Sequence, residues 1–487
     1  MERGANRVGD RAGGAPPAVR ISFRLTGVLL LLGPLLGLAG GWLNFKWLGL
    51  IGGAAAIMWR IAREGGDRPE TGLSPREPWT AGAALIAAGL LLSIVFSPVP
   101  GLGVWVALRE WTLVGLAFFV ARHRPTAAEI RFVLGCLIVA MVVQATLALL
   151  QFALPAGWRP LLPLHLQAAA GRARMIGTIG NPEYLATWIA AGGAAAWVWA
   201  AALWRSGGAR QTGLTLARLA GGGLVIMTAI YLSGGRGALL SAGGAMLPAL
   251  PLAWRGPVAR REGGRSRGGL AIATAAGAGV MLAGLWALIP ADERGGTLPA
   301  RLAEAVDPHS PSIRHRIGLL VVTSRMIVEN PVLGTGPGRF TAGFSDTLAR
   351  SAAEEEGIGF WALSDALSGT YVGEAHSDAL QWWAEYGLAP ALGLSLMLAA
   401  ALAGVAGRLR AGTEGERPDW ERPVLLAAWA CLAAFGISLA TSFPLHGPVR
   451  AGGFWVMLGL VSGACCREEM RRNTKQVRRN EVRRREE

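Results

Sequence analysis

The sequence predicts an all-helical membrane protein with about twelve spans. Two features point there: apolar runs of membrane length, and basic residues segregated into alternate loops. Of the 487 residues, 52% are hydrophobic and only 16% are charged, which is too apolar for a soluble chain of ordinary composition. Stretches such as "GVLLLLGPLLGLAGG", "AGAALIAAGLLLSIVF", "VLGCLIVAMVVQATLALL" and "GLAIATAAGAGVMLAGLWALI" approach or reach the roughly 20 residues needed to cross the hydrocarbon core. Their richness in Gly and Ala suits helices that pack backbone against backbone in lipid.

A net charge of +15 raises the question of nucleic acid, and the layout of the charge excludes it. Most of the 47 lysines and arginines fall in short segments between apolar runs: Arg3 to Arg24, Arg60 to Arg76, Arg122 to Arg131, Arg205 to Arg218, Arg255 to Arg267, Arg408 to Arg422, and the tail from Arg467. They recur at alternate loops, as the positive-inside rule expects of cytoplasmic faces. The charge is a topology signal. Cys136, Cys431, Cys465 and Cys466 sit in or at the end of apolar runs, so no disulfide framework is indicated. The basic-then-apolar N-terminus imitates a signal peptide, but with so many later spans an uncleaved first helix is expected.

The expected spans lie near 25–41, 44–62, 79–97, 103–121, 132–153, 183–204, 214–232, 237–254, 269–289, 387–407, 423–442 and 451–466. An even count places both termini in the cytoplasm: a basic N-terminal tail (1–24), a first membrane region (25–289), a second (387–466) and a basic tail (467–487), solvated beside anionic lipid. Two outer connections are long, 154–182 and 290–386. The latter, between the ninth and tenth spans, holds a helix-compatible stretch at 315–329 and the breakers "ENPVLGTGPGRF". It predicts a small folded cap over the outer mouth. No internal repeat is evident.

With the inner clusters set aside, the outer face keeps Arg159, Arg172, Arg174, Arg236, Arg294, Arg301, Arg314, Arg316, Arg325, Arg339, Arg350 and Arg450. A planar fork of donors suits carboxylate or phosphate, so this concentration points to an anionic ligand; the alternative is that long loops translocate regardless of charge. Arg236, in "LSGGRGALLSAGG", sits at the outer end of the seventh span between glycines that permit a tight turn. It is placed either to hold a lipid-linked phosphate or simply to snorkel. In "GTIGNPEYLATW", Asn181 caps a helix with Pro182 in its first turn, or serves a ligand as well. "ENPVLGTGPGRF" lacks the Lys-Ser/Thr of a phosphate-cradling loop; it reads as a compact turn ending near Arg339. "DPHSPSIRHR" has no metal-ligand spacing, and no cofactor or metal is expected.

The stretch "GEAHSDALQWWAEYG" (373–387) concentrates Glu374, His376, Asp378 and Glu385 beside two tryptophans. Topology puts it outside, just before the tenth span. Leu380, Trp383 and Gly387 continue from His376 at helical spacing, so His376 is expected in a helix's N-terminal turn. A histidine there can take a proton from a hydroxyl. Trp382 and Trp383 suit the interfacial belt, or stacking on a sugar. Arg109 and Glu110, near mid-membrane depth, read as a structural pair near a helix end.

Five segments in order, "GTIGNPEYLA", "SGGRGALLS", "RIGLLVVTSRMIVENPVLGTGPGRF", "HSDALQWWAEYGLAPALG" and "FPLHGPVRAGGFWVMLGL", resemble the O-antigen ligase and O-antigen polymerase superfamily of bacterial inner-membrane proteins, over roughly residues 170–465. The resemblance implies a glycosyltransferase with about a dozen helices and a large periplasmic loop domain (here 290–386) before the late spans. The implied donor is an undecaprenyl-pyrophosphate-linked glycan. The implied acceptor is a hydroxyl of lipid A-core for a ligase, of another glycan repeat for a polymerase, or of a protein. Arg236 and Arg316 match the family's arginines and would hold the pyrophosphate; His376 matches its loop-end histidine and would orient or deprotonate the acceptor. Arg339, Arg314, Arg174 and Asn181 would help bind the donor, with Glu385 and Asp378 in support. The chain departs from the family at Ser377 (commonly Asn), at Leu320 (often aromatic), and at Gly-Gly-Arg-Gly with Ser233 displaced. These departures bear on the acceptor more than on the reaction. A solute transporter and a non-catalytic assembly protein are the competing readings.

Overall fold

The computed structural model describes residues 19–34, 43–64, 78–153, 179, 181–206, 211–233, 235–254, 311–354, 372–410 and 421–465. In chain order the helices are α1 (Ile21–Leu32), α2 (Leu43–Glu64), α3 (Pro78–Val95), α4 (Pro100–Arg122), α5 (Ala127–Ala153), α6 (Pro182–Ser206), α7 (Gln211–Ser233), α8 (Arg236–Trp254), α9 (Pro311–Glu329), α10 (Phe340–Glu354), α11 (Asp378–Tyr386), α12 (Leu388–Arg410), α13 (Glu421–Thr441) and α14 (Pro448–Cys465). No strand occurs among the described residues. Eight of these helices are long and apolar enough to cross a membrane: α3, α4, α5, α6, α7, α12, α13 and α14. The chain is an all-helical, multi-pass membrane protein. The count among the described residues is eight rather than about twelve; α1 and the apolar part of α8 are shorter, and the expected ninth span, 269–289, lies outside the described residues, as do both basic tails apart from the residues next to α1.

Local sequence explains where the helices start. Proline opens α3, α4, α6 and α14, where its missing N–H costs nothing and its φ is already helical. Small residues explain how they pack. A Cβ on Gly393 of α12 would lie 2.5 Å from the Gly82 carbonyl oxygen of α3, and one on Gly82 would lie 2.7 Å from that of Gly393, so these two backbones touch directly. The interior is built around α6, α13 and α14, whose Trp188, Phe435, Phe454 and Trp455 are fully buried. Leu91, Leu92, Val95, Leu240 and Leu247 project outward.

The two ends of the bundle differ. At one end Arg20, before α1, bonds Glu129 at the start of α5, and Arg408, near the end of α12, bonds Glu421 and the Ala464 carbonyl. The end of α14 is there too, with Gly463 against Ala121 and Pro125. At the other end Thr187 of α6 bonds Ser442 just past α13 (3.1 Å), and Ser93 of α3 bonds the Leu333 carbonyl (2.8 Å). There α9, α10 and α11 share a small core of their own, including Leu319, Met326, Phe340, Phe344 and Ala384.

Three expectations are corrected. The stripe from His376 to Gly387 is not one helix: α11 ends at Tyr386 and Gly387, at φ +85°, breaks the chain before α12. His376 is outside it, since Ser377 is the N-cap. Trp382 is not part of a membrane-interface belt, being buried against Tyr386 and Trp455, while the half-exposed Trp383 indole donates to the Pro331 carbonyl. Finally, Arg109 and Glu110 sit in the middle of α4 rather than near its end, ion-paired at 2.6 Å with the guanidinium over Trp47.

Candidate functional site

Four segments meet at the end of the bundle that carries α9 to α11: the start of α6, the start of α9, the loop before α11, and the turn joining α13 to α14. Asn181 caps α6, its Oδ1 accepting from the Glu183 N–H at 2.8 Å. That cap fixes the first turn, so that Glu183 and Tyr184 project from a rigid helix end. Negative charge is favoured at that position by the helix dipole.

Glu183 is the centre of the arrangement. One carboxylate oxygen lies 3.0 Å from Arg316 Nη2 and the other 3.3 Å from His376 Nδ1. The histidine and the loop arginine singled out by sequence are therefore joined through a third residue. All three are partly open, with side chains 27% (His376), 24% (Glu183) and 37% (Arg316) exposed. His376 adopts φ +54°, left-handed backbone that a residue with a Cβ enters only at a cost of order 1 kcal/mol. Its ring stands edge-on to Phe443 at 4.8 Å and faces His315 at 6.5 Å. Strain of this kind persists where the surroundings enforce it, and it gathers at functional sites. Glu183 places its charge 3.3 Å from Nδ1 without hydrogen-bond alignment, and an imidazole so placed can take a proton through Nε2.

The segment before α11 is held from below by a buried polar network. Asp378 accepts from the Leu445 N–H and from His446 Nδ1, both at 2.5 Å, and its own N–H donates to the Ser442 carbonyl at 3.0 Å. Gln381 Oε1 accepts from the Ala375 N–H (2.8 Å), which turns its amide donors toward His446 Nε2 (2.9 Å). Burial alone would lower the His446 imidazole, but the Asp378 carboxylate, its hydrogen bond to Nδ1 and the nearby Glu385 together raise it above its usual range. Asp378 therefore fixes the loop that presents His376.

The other predicted residues are placed as follows. Arg236 is the first residue of α8. Its neighbour Gly235 packs on Ala186, one helical turn beyond Glu183, with room for no side chain; the Arg236 side chain lies outside the described residues, as does Arg174. Arg314 is exposed near the start of α9. Arg339 begins the chain into α10 beside the glycine turn, at the far end of α9, about 20 Å along that helix from Arg316. Glu385 belongs to the same far region: it is buried and accepts from the Gly338 N–H. Gly334, Gly336 and Gly338 all take positive φ, and the Thr335 and Gly336 N–H groups bond the Ala384 and Glu385 carbonyls at 2.9 and 3.0 Å. The glycine-rich stretch is a clasp on the end of α11. Burial pushes the Glu385 carboxyl above the usual carboxylate range, with His446 and Arg109 opposing the rise.

Sequence reasoning missed two residues. Glu183 looked like an ordinary acidic residue in a helix's first turn, and only its position among outer arginines hinted at more. Arg450 was one of those outer arginines without an assigned part; it lies 3.9 Å over the Tyr184 ring. No family model and no curated protein matches this chain.

Proposed function

We propose that the chain is a metal-independent glycosyltransferase of the bacterial inner membrane, with about twelve spans, cytoplasmic termini and a periplasmic site. It transfers a glycan from an undecaprenyl-pyrophosphate donor to an acceptor hydroxyl, in the manner of an O-antigen ligase. The observation that carries this reading is Glu183 bridging His376 and Arg316 at 3.3 and 3.0 Å. It aligns an imidazole beside a fixed cation, in a partly open position at the end of a membrane bundle. In the transfer, His376 Nε2 takes the acceptor's hydroxyl proton and the acceptor oxygen bonds the anomeric carbon. The bond from that carbon to the pyrophosphate oxygen breaks, and the electron pair leaves with the pyrophosphate. Arg316 and Arg236 stabilise that leaving charge, and Glu183 stabilises the imidazolium; charge placed where it develops is commonly the largest catalytic contribution. A polymerase of the same type would differ only in its acceptor.

The test is transfer by the purified protein in proteoliposomes supplied with a lipid-linked oligosaccharide and with separate candidate acceptors. His376→Asn, whose side chain tolerates positive φ, and Arg316→Gln should insert and fold yet lose transfer. Full transfer by both variants would sink the proposal.

One observation favours a transporter as the second reading. The Arg109–Glu110 pair is in mid-span, and Glu110 Oε2 is buried without a hydrogen-bond partner; intramembrane charges of this kind often mark solute paths. Solute flux into proteoliposomes that is lost in Glu110→Gln and retained in His376→Asn would support it over transfer.

A further inference from the structure

We propose that Arg450 is a further ligand-binding residue of the same site, a fixed cation for a phosphate oxygen; this rests on the reading that a phosphate-bearing donor is bound there. Arg450 is only 1% exposed, yet neither Nη1 nor Nη2 has a hydrogen-bond partner. A buried charge with unsatisfied donors is among the costliest features a fold retains. Among the described residues, two other arginines inside the bundle do find carboxylates: Arg109 pairs with Glu110, and Arg408 with Glu421 and the Ala464 carbonyl.

Its surroundings are built to hold a cation without neutralising it. The guanidinium lies 3.9 Å from the centre of the Tyr184 ring and 5.3 Å from that of Phe443, and these ring faces attract it while supplying no acceptor at its donors. Gly447 makes the slot: a Cβ there would stand 2.7 Å from Nη2 and 2.8 Å from Nε. The nearby carboxylates all have closer partners. Asp378 is taken by His446 and the Leu445 N–H, Glu374 by the Tyr184 hydroxyl, and Glu183 by Arg316 and His376. They act on Arg450 only through their more distant field.

Position ties this cation to the reaction. Phe443 touches both Arg450 and, at 4.8 Å, the His376 ring, and Tyr184 adjoins Glu183 in sequence. An anion entering beside His376 and reaching past Phe443 would therefore gain a charge-assisted bond in low-dielectric surroundings, where it counts for most.

The experiment uses the full chain in nanodiscs, with farnesyl pyrophosphate as probe and farnesol as the phosphate-free control, read by calorimetric binding and by thermal unfolding. Wild-type protein should bind the pyrophosphate more tightly than farnesol. Arg450→Met should bind it roughly 10- to 100-fold more weakly, the span expected for one charged hydrogen bond. Its ligand-free unfolding temperature should be unchanged or higher, because an unpaired buried charge has gone. Arg450→Lys, which keeps a charge in the slot, should fall between the two. Undiminished binding by Arg450→Met overturns the assignment alone. So does a ligand-free unfolding temperature that drops by several degrees in Arg450→Met, which would make the residue structural. Wild-type protein that does not distinguish pyrophosphate from farnesol overturns the donor reading together with this one.

Discussion

Glu183→Gln tests the bridge between His376 and Arg316 with the smallest possible change in shape. The substitution keeps the side chain's size and its place in the first turn of α6, where losing a dipole-favoured charge costs only a few tenths of a kcal/mol. What it removes is the negative charge 3.3 Å from His376 Nδ1, and hence the stabilisation of the imidazolium that forms as the acceptor proton is taken. Two unit charges at about 4 Å interact by ~1 kcal/mol in water and ~4 kcal/mol at the effective dielectric of a protein surface. Side chains roughly one-quarter exposed place this pair between those limits, at about 2–3 kcal/mol. Transfer should therefore slow roughly 30- to 150-fold. The assay is single-turnover glycan transfer in proteoliposomes, with Glu183→Asp included as the charge-preserving control. If Glu183 works through His376, adding Glu183→Gln to His376→Asn should produce almost no further loss, since residues acting as a unit are not additive. A Glu183→Gln rate within threefold of wild type would refute the reasoning. So would the full loss reappearing in the His376→Asn background.

Glu385 gives a pH-dependent expectation. Its carboxyl is raised by burial in the folded protein, so the folded state holds that proton more tightly than the unfolded state does. The contribution to stability is present below the unfolded value of about 4.3 and is lost as pH rises through the raised folded value. Thermal unfolding in detergent should show this decline in wild type and not in Glu385→Gln; equal decline in both would contradict it. Gly387→Ala should lower stability by about 1–3 kcal/mol or more, because φ is +85° and a Cβ would collide with the Val332 carbonyl; an unchanged unfolding temperature would count against the break between α11 and α12. Gly393→Val should cost about 1–3 kcal/mol by overpacking where α12 meets the Gly82 carbonyl of α3, with Gly407→Val, which has open space around it, as the tolerated comparison.

Much of this protein could be read along the chain because the relevant physics is local. Apolar run length places α3 to α7 and α12 to α14, and proline and Asn181 mark the helix starts. The glycine turn after α9 was equally readable, since positive φ at Gly334, Gly336 and Gly338 is the use for which glycine is suited. Helical spacing misled at 376–387, where one periodic stripe runs across a cap at Ser377 and a break at Gly387. Periodicity sees side chains and not the backbone dihedrals between them.

The sequence by itself determined the class of the protein, its helices, and the candidacy of His376 and Arg316. It could not supply Glu183 as their link, for 133 positions separate Glu183 from Arg316 and an acidic first-turn residue already has a sufficient local reason to exist. Nor could it tell Arg450 from any other arginine at a helix end. Burial, aromatic faces and the want of an acceptor are properties of the packed bundle, fixed only when α6, α14 and the loop before α11 come together.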